Sequence, residues 1–415
     1  MRALALLLLA SAVAFAEKVP VDKLIEMAKS HSPDLEQALK DTLGADAIQK
    51  GAAVDGVGKD FVWAVAAPSA PLLKIDYTDP VPAWKAGSLW VYQGEMKTGM
   101  AHRFLWIVDG KTFGGKQNVP AYGPDSYPHP GVPEGKLTGP IVMESKIYPG
   151  MKTNVWYYVP SQWDGTTPLP VQIFGDGEGY VNRMNPKRTL EVIDNLTAQK
   201  RIPLIANIFI SPGTANGRPM RSPEYDTVSD TYARYLLEEV LPEIGKRIKI
   251  REDGYSRAII GQSSGGIAAF NAAYIKPDQF SRVISWIGSF ASIQVSPEHP
   301  VGGAEYPALV RERKEAKRNI RVWLEDGAED QENPTFGSWP FANLALANSL
   351  KLKGYDYHFS FGVHDHNQLS GNLELPESMP WLWRDYDPSK TSQTFVQDPE
   401  EATKPEWRVI KLNRQ

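Results

Sequence analysis

The chain has 415 residues, of which 42% are hydrophobic and 23% are charged, the composition of an ordinary globular protein. This length has room for two domains of about 100 to 200 residues each. A formal net charge of −4 and the lack of a basic run argue against nucleic acid as a partner. Because the sequence contains no cysteine, disulfides, a thiol nucleophile and thiolate metal ligands are excluded.

Residues 1–16 have the pattern of a cleavable export signal. An apolar run follows Arg2 and ends in a small-x-small cleavage site at residues 14–16. The run is shorter than the roughly 20 apolar residues that a membrane-spanning helix needs. We therefore expect a mature chain that starts at Glu17, is secreted or periplasmic, and makes no membrane contact after cleavage.

Residues 17–135 form the first predicted domain. Apolar residues at roughly helical spacing predict one or two short helices between residues 20 and 43. Short β-prone runs follow up to residue 108 and favour a small β-sandwich, and a Pro- and Gly-rich stretch at 118–139 marks a linker. Four tryptophans are expected either in the sandwich core, the commoner role, or on a carbohydrate-stacking face: Trp63, Trp84, Trp90 and Trp106.

Residues 136–390 form the second predicted domain, in which short apolar strands alternate with helical patterns, including a long amphipathic helix over 227–248. Such alternation indicates an α/β fold with a mostly parallel central sheet that is covered on both faces. The polar, proline-bearing residues 391–415 are expected to form a C-terminal tail.

Ser263 lies at the centre of a Gly-x-Ser-x-Gly pattern, between a short apolar run and an alanine-rich helical stretch. In this setting a sharp strand-to-helix turn exposes the serine hydroxyl. Gly261 and Gly265 would leave room where side chains would clash with the opposing backbone. The amide of Ser264 would point toward a developing oxyanion. The alternative is an ordinary glycine-rich turn, since the pattern is short.

A carboxylate-rich turn at residues 325–332 follows a predicted strand and contains five acids within eight residues. At the carboxyl end of a parallel strand, one of these acids could orient a histidine and stabilise its cationic form. Asp330 is favoured, with Glu329 and Asp326 as alternatives. Each of them could instead be a solvated loop acid.

A histidine-rich turn with His364 and His366 comes next, which completes the Ser, Asp/Glu, His order of an α/β-hydrolase triad. Either imidazole could be the general base, since histidine titrates near neutral pH. Metal binding is the rival interpretation, but no further His or Cys cluster would complete such a site.

A glycine-rich loop at residues 175–180 follows the strand that precedes the second oxyanion donor in α/β-hydrolases. A backbone amide at Gly177 or Glu178 would complete an oxyanion hole with Ser264, and this would place Glu178 beside the substrate. The alternative is a plain glycine turn.

Together these motifs resemble the esterase D/enterochelin-esterase-like family, which includes the feruloyl and acetylxylan esterases of carbohydrate esterase family 1. The resemblance covers roughly residues 145–386, and its matching stretches occur in order at 174–182, 221–226, 261–266, 326–330 and 381–384. It implies an α/β-hydrolase fold behind an N-terminal early-set immunoglobulin-like domain. It also implies chemistry that needs no metal and no cofactor.

The resemblance implies that Ser263 is the nucleophile, Asp330 the acid and His366 the base. His366 is favoured over His364 by its spacing from the Leu-Pro pair at residues 375–376. The chain departs from the family here, because relatives usually have glycines where His364 stands.

Arg221 begins a segment, Arg-x-x-Glu-Tyr-Asp, that lies near the active site in this family. Arg221 is expected either to bind a substrate carboxylate or to form a salt bridge with Glu224 or Asp226.

The sequence therefore predicts an exported serine esterase that works through an acyl-enzyme. Acyl or feruloyl esters of plant polysaccharides are the first expected substrates, and a siderophore trilactone is the alternative. Two other possibilities are a non-catalytic carbohydrate-binding protein on a hydrolase scaffold and an acyltransferase that passes the acyl group to a sugar.

Overall fold

The computed structural model describes residues 18–312, 314, 316–403, 405 and 411–413. The signal peptide predicted for residues 1–16 lies outside these residues. The chain divides into two compact units, one made of the residues up to Met96 with Arg103–Gln117, and one made of Lys97–His102 with the residues from Asn118 onward. In the part of the chain that is described, no helix is long and apolar enough to cross a membrane.

The N-terminal part of the chain contains three short helices followed by two four-stranded sheets. The helices are α1 (Val21–Lys29), α2 (Leu35–Leu43) and α3 (Ala45–Gln49). The strands are β1 (Ala53–Val57), β2 (Asp60–Val65), β3 (Leu72–Ile75), β4 (Val81–Pro82), β5 (Trp84–Ala86), β6 (Leu89–Glu95), β7 (Met100–Val108) and β8 (Lys111–Ala121). One sheet has the order β1-β2-β6-β5 and the other has the order β4-β3-β7-β8.

The two faces of β2 explain how the first unit is packed, because successive side chains of a strand point to opposite faces. Val62 packs in one cluster with Leu24 of α1 and Leu39 of α2. Trp63 points the other way and meets Phe104 of the second sheet at 6.4 Å between ring centroids. Of the four tryptophans, Trp63 and Trp106 are fully buried. The four therefore do not form one exposed stacking face.

The second unit is built on an eleven-stranded sheet. Ten of its strands follow the order β14-β13-β10-β12-β11-β15-β16-β17-β20-β21, and β9 pairs with β10 outside this path. Its strands are β9 (Lys136–Glu144), β10 (Met151–Val159), β11 (Val171–Gly175), β12 (Ala206–Ile210), β13 (Thr214–Ala215), β14 (Arg218–Pro219), β15 (Arg257–Gln262), β16 (Arg282–Trp286), β17 (Arg321–Gly327), β20 (Asp356–Gly362) and β21 (Lys411–Asn413). A small hairpin is formed by β18 (Glu332–Asn333) and β19 (Gly337–Ser338).

The helices of the second unit are α4 (Thr189–Ala198), α5 (Arg221–Tyr225), α6 (Thr231–Tyr235), α7 (Leu241–Gly245), α8 (Ser264–Ile275), α9 (Tyr306–Glu312), α10 (Trp339–Leu352), α11 (Ser370–Leu373), α12 (Leu375–Trp383) and α13 (Pro399–Ala402). Helices cover both faces of the sheet, since residues of α6, α8 and α10 form one core cluster and residues of α4 and α12 form another. The strands from β12 through β21 in the sheet order are parallel neighbours. The predicted α/β-hydrolase fold with a mostly parallel sheet is confirmed.

Three boundaries differ from the sequence-based expectation. Residues 118–135 belong to the second unit rather than to the first, because Asn195 of α4 donates hydrogen bonds to the carbonyls of Asp125 and Tyr127. The predicted helix over 227–248 begins at Thr231 and ends at Gly245, with a π-helical turn before Pro242, which has no N–H to donate. In the predicted tail, residues 411–413 form strand β21 beside β20.

Candidate active site

The nucleophile elbow is formed where β15 ends and α8 begins. Ser263 connects them with φ 56° and ψ −124°, a conformation that is strained for a residue with a side chain. Its amide donates to the Trp286 carbonyl on the neighbouring strand at 2.9 Å. At Gly261 a Cβ atom would lie 2.0 Å from the Gly265 carbonyl oxygen, so this tight turn requires glycine there. The local sequence thus presents the Ser263 hydroxyl at the carboxyl edge of the sheet.

Ser263, His366 and Asp330 form a continuous hydrogen-bonded chain. Ser263 Oγ lies 2.8 Å from His366 Nε2, and His366 Nδ1 lies 2.5 Å from Asp330 Oδ1. The Asp330 side chain has no exposed surface, whereas the His366 side chain keeps 17%. The geometry suits a base that can reach the serine proton and a buried carboxylate that holds one imidazole tautomer.

His364, the other candidate base, is not part of this series of hydrogen bonds. Its Nε2 is 2.6 Å from Glu325 Oε1, and both side chains are nearly inaccessible to solvent. Burial alone would lower the pKa of His364, but the charge and hydrogen bond of Glu325 outweigh it and raise this pKa to about 9. Among the described residues, no group of three His, Asp or Glu side chains could hold a metal ion.

Most acids of the carboxylate-rich turn that were considered for the triad are buried, unlike the acids of a solvated loop. Strand β17 continues to Gly327, so Glu325 and Asp326 are part of a buried strand, and they are 2% and 0% exposed. Asp330 is also buried, whereas Glu329 is on the surface. The sequence could not separate these acids because their burial depends on where the strand ends.

The acid turn and the histidine turn are joined through their backbones. Strands β17 and β20 pair in parallel up to Gly327 and Gly362. The amide of Ala328 donates to the Gly362 carbonyl at 3.0 Å, and that of Glu329 donates to the His364 carbonyl at 3.2 Å. A Cβ atom at Gly327 would lie 2.1 Å from the His364 carbonyl oxygen. The two turns therefore fit together without room for a side chain at Gly327.

The predicted oxyanion donors lie at the ends of adjacent strands. The first amide of α8 is that of Ser264, and the first amides of a helix have no partner within it. Strand β11 is the parallel neighbour of β15 and leads into the turn that contains Gly177. The amide of Glu178 already donates to Ser211 Oγ at 3.2 Å, and the Glu178 side chain is exposed. Of the two candidate amides in this loop, that of Glu178 is therefore already hydrogen-bonded.

Arg221 pairs with Asp176, not with Glu224 or Asp226 as expected. Its Nε and Nη2 bind the two carboxylate oxygens of Asp176 at 2.7 and 2.8 Å. Glu224 points into the core instead, where it accepts the amide hydrogen of Gly213, and burial raises its pKa to about 8. Arg221 Nη2 also reaches the carbonyl of Gln262 at 3.3 Å. Through this contact the ion pair is linked to the residue that precedes Ser263.

Two residues beside the candidate nucleophile were not found by sequence reasoning. Ser289 Oγ lies 3.3 Å from Ser263 Oγ and accepts a hydrogen bond from Trp339 Nε1 at 3.0 Å. The Trp339 ring meets His366 edge-on at 5.8 Å between centroids. Ser289 follows β16 at the same sheet edge, a position that could have drawn attention to it. Nothing in the local sequence marks Trp339.

Lys187 is a buried cation near the elbow that the sequence also did not indicate. Its ammonium lies 4.0 Å from the centroid of the Tyr180 ring. With the Gln262 amide turned to satisfy its neighbours, the amide oxygen accepts from Lys187 Nζ at 3.0 Å. Burial lowers the pKa of Lys187 to about 8, and the charge of Arg221 acts in the same direction.

Comparison with known proteins identifies an esterase with a similar sequence. The iron(III) enterobactin esterase of Dickeya dadantii (strain 3937) is 22% identical over 245 residues, which cover 58% of this chain and 53% of the relative. The match thus spans about half the length of that relative.

Among solved structures, the enterobactin esterase from Shigella flexneri in the presence of enterobactin has a TM-score of 0.53 at 17% identity and covers 81% of this chain and 96% of that one. The ferric enterobactin esterase from Salmonella typhimurium has a TM-score of 0.53 at 16% identity and covers 78% and 93%. At such identities these likenesses show a shared fold.

The family comparison matches residues 147–374, more than half of the chain, to the family described as "Putative esterase". This range contains the elbow, the acid turn and the histidine turn. The resemblance inferred from the sequence motifs is confirmed, and the chain belongs to this esterase family.

Proposed function

We propose that the protein is a serine esterase that hydrolyses carboxylic esters through an acyl-enzyme. The observation that supports this most directly is the chain of short contacts from Ser263 to His366 to Asp330, 2.8 and 2.5 Å long, at the end of a strained elbow. Membership of the esterase family is consistent with this chemistry.

In the proposed reaction, Ser263 Oγ attacks the ester carbonyl while His366 Nε2 takes its proton. Asp330 stabilises the imidazolium that forms and holds its tautomer. The amides of Ser264 and Gly177 donate to the oxyanion of the tetrahedral intermediate. His366 then returns the proton to the leaving alcohol, which leaves Ser263 acylated. In the second half, His366 takes a proton from water as the water oxygen attacks the acyl carbonyl, and returns it to Ser263 Oγ as the acyl–serine bond breaks.

Two substrate classes follow from different observations. The predicted export signal favours acyl or feruloyl esters of polysaccharides outside the cytoplasm. The likeness to proteins named enterobactin esterases favours a siderophore trilactone. Secretion or periplasmic location remains part of the proposal.

The proposal is tested by assaying p-nitrophenyl acetate, methyl ferulate and a siderophore trilactone with the wild-type protein and with Ser263→Ala. We expect the variant to lose at least about 10³-fold in kcat, because removing a triad nucleophile leaves only binding and oxyanion stabilisation. Ser161→Ala, at an exposed serine of the same unit, is the matched control and should retain full activity.

The outcomes separate the competing interpretations. The ester with the highest kcat/KM identifies the substrate class. Transfer of the acyl group to an added sugar, in place of hydrolysis, would establish an acyltransferase. Failure of the wild type to cleave any ester would overturn the esterase and leave a binding protein. Full activity of Ser263→Ala would overturn Ser263 as the nucleophile.

A further inference from the structure

A second carboxyl group lies directly behind the acid of the proposed triad. Asp326 is fully buried near the end of β17, and its side chain is within hydrogen-bonding range of the Asp330 side chain. Four side chains thus follow one another in space: Asp326, Asp330, His366 and Ser263. The fourth member, Asp326, has no place in a three-residue triad.

The hydrogen bonds of each carboxyl group leave one oxygen in need of a partner. Asp330 Oδ1 receives the amide hydrogen of Gln331 at 2.5 Å and faces His366 Nδ1. Asp326 Oδ1 receives the amide hydrogen of Gly327 at 2.7 Å. The remaining oxygens, Oδ2 of Asp326 and Oδ2 of Asp330, are buried and receive no N–H or hydroxyl donor from any described residue.

Two carboxylates cannot share such a site when both are ionised, because like charges at this distance repel strongly and neither is solvated. A single proton between the two groups removes both the repulsion and the unpaired oxygens, since a protonated carboxyl is a donor. Asp330 faces the imidazole and is the group whose anion is stabilised. The proton therefore belongs on Asp326.

The electrostatic environment agrees with this assignment. Burial, together with the hydrogen bond and charge of Asp330, raises the pKa of Asp326 well above its ordinary value. For Asp330, burial acts to raise the pKa, but hydrogen bonds from His366 and Asp326 outweigh it and hold this pKa below its ordinary value. The buried Glu325 next to Asp326 adds a further negative charge that disfavours ionised Asp326.

We infer that Asp326 is a protonated positioning residue that donates a hydrogen bond to Asp330 Oδ2 and fixes the plane of that carboxylate toward His366. Its role in turnover rests on the proposed esterase function, whereas the shared proton does not. Asp326 acts through Asp330, so its removal is expected to affect kcat and to leave KM unchanged.

Asparagine is the informative substitution, because its amide reproduces the pattern of a protonated carboxyl, with one oxygen that accepts from Gly327 and one N–H that donates to Asp330. Asp326→Asn should retain kcat within about threefold and leave the acid limb of the kcat/KM pH profile in place. Asp326→Leu has a similar volume but no donor, and it should lose about 10- to 100-fold in kcat. An Asp326→Asn variant whose acid limb moves down by a full pH unit would show that the wild-type group is ionised, and would overturn the inference.

Infrared difference spectroscopy tests the proton without using activity. At pH 7 the spectrum of the wild type minus that of Asp326→Asn should contain the carbonyl stretch of one protonated carboxylic acid. The band of any other protonated carboxyl, such as Glu224, cancels because it is common to both proteins. The lack of the band would overturn the inference even in a fully active enzyme. Its presence in a protein without esterase activity would uphold the shared proton and overturn only the proposed function.

Discussion

His364 and His366 stand two residues apart, yet each faces a different acid. His366 Nδ1 lies 2.5 Å from Asp330, and His364 Nε2 lies 2.6 Å from Glu325. The pair of His366 and Asp330 is hydrogen-bonded to the hydroxyl of Ser263, whereas the pair of His364 and Glu325 is buried. The two histidines should therefore differ in what their removal costs, one in catalysis and the other in stability.

His366→Ala should reduce kcat by at least about 10³-fold with little change in the free energy of unfolding, because the base is lost from a partly exposed position. His364→Ala should instead destabilise the fold by about 3 to 5 kcal/mol, since it leaves Glu325 buried without its cation. Paired measurements of kcat and urea unfolding at pH 7 check both. Equal losses of kcat in two equally stable variants would contradict this division.

Asp330→Asn should lower kcat by about 10⁴-fold while KM changes little, because the neutral amide no longer stabilises the imidazolium and favours the wrong tautomer. Glu329→Gln changes the neighbouring but exposed acid of the same turn and should be silent. Steady-state kinetics on p-nitrophenyl acetate distinguish the two. Loss of activity in Glu329→Gln but not in Asp330→Asn would show that Asp330 is not the acid of the triad.

The stability contributed by the His364–Glu325 pair should depend on pH. His364 has a folded pKa of about 9, above the ordinary 6.5, so the folded state binds more protons between these values. The contribution is therefore complete below about pH 6.5 and is lost as the pH rises through 9. It amounts to about 3 kcal/mol. Glu325→Gln should unfold more readily at pH 6 and lose this slope, as urea titrations at pH 6, 7.5 and 9 would show.

Lys187 should make stability depend on pH in the opposite direction. Its folded pKa of about 8 lies below the ordinary 10.5, so the unfolded state binds more protons between these values and stability rises with pH there. At pH 7 the buried ammonium opposes folding by about 3 kcal/mol. Lys187→Met should therefore be more stable than wild type at pH 7, and the difference should shrink as the pH rises from 8 to 10.5. Lys200→Met, at an exposed lysine, is the control, and a loss of stability at pH 7 in Lys187→Met would contradict the expectation.

The fold and the elbow could be predicted because the signals for both are local. Alternating strand and helix patterns fix the layers, and the glycines around Ser263 fix the turn, since at Gly261 a side chain would strike the backbone four residues later. The order of the three motifs in the chain then indicates which loops meet at the carboxyl edge of the sheet.

The partners of Arg221 and the set of buried acids could not be predicted, because they depend on contacts between distant parts of the chain. Arg221 lies 45 residues from Asp176, although two acids stand within five residues of it. Likewise, the burial of Glu325 and Asp326 follows from β17 extending one residue past them. A single sequence contains no pattern that locates such a strand end to within two residues.

The backbone connection between the acid turn and the histidine turn has a consequence for redesign. The amides of Ala328 and Glu329 bind carbonyls of the histidine turn. The distance between Asp330 and His366 is therefore set by the pairing register of β17 and β20 and not by flexible side chains. Inserting even one residue into 327–330 or 362–366 should abolish turnover.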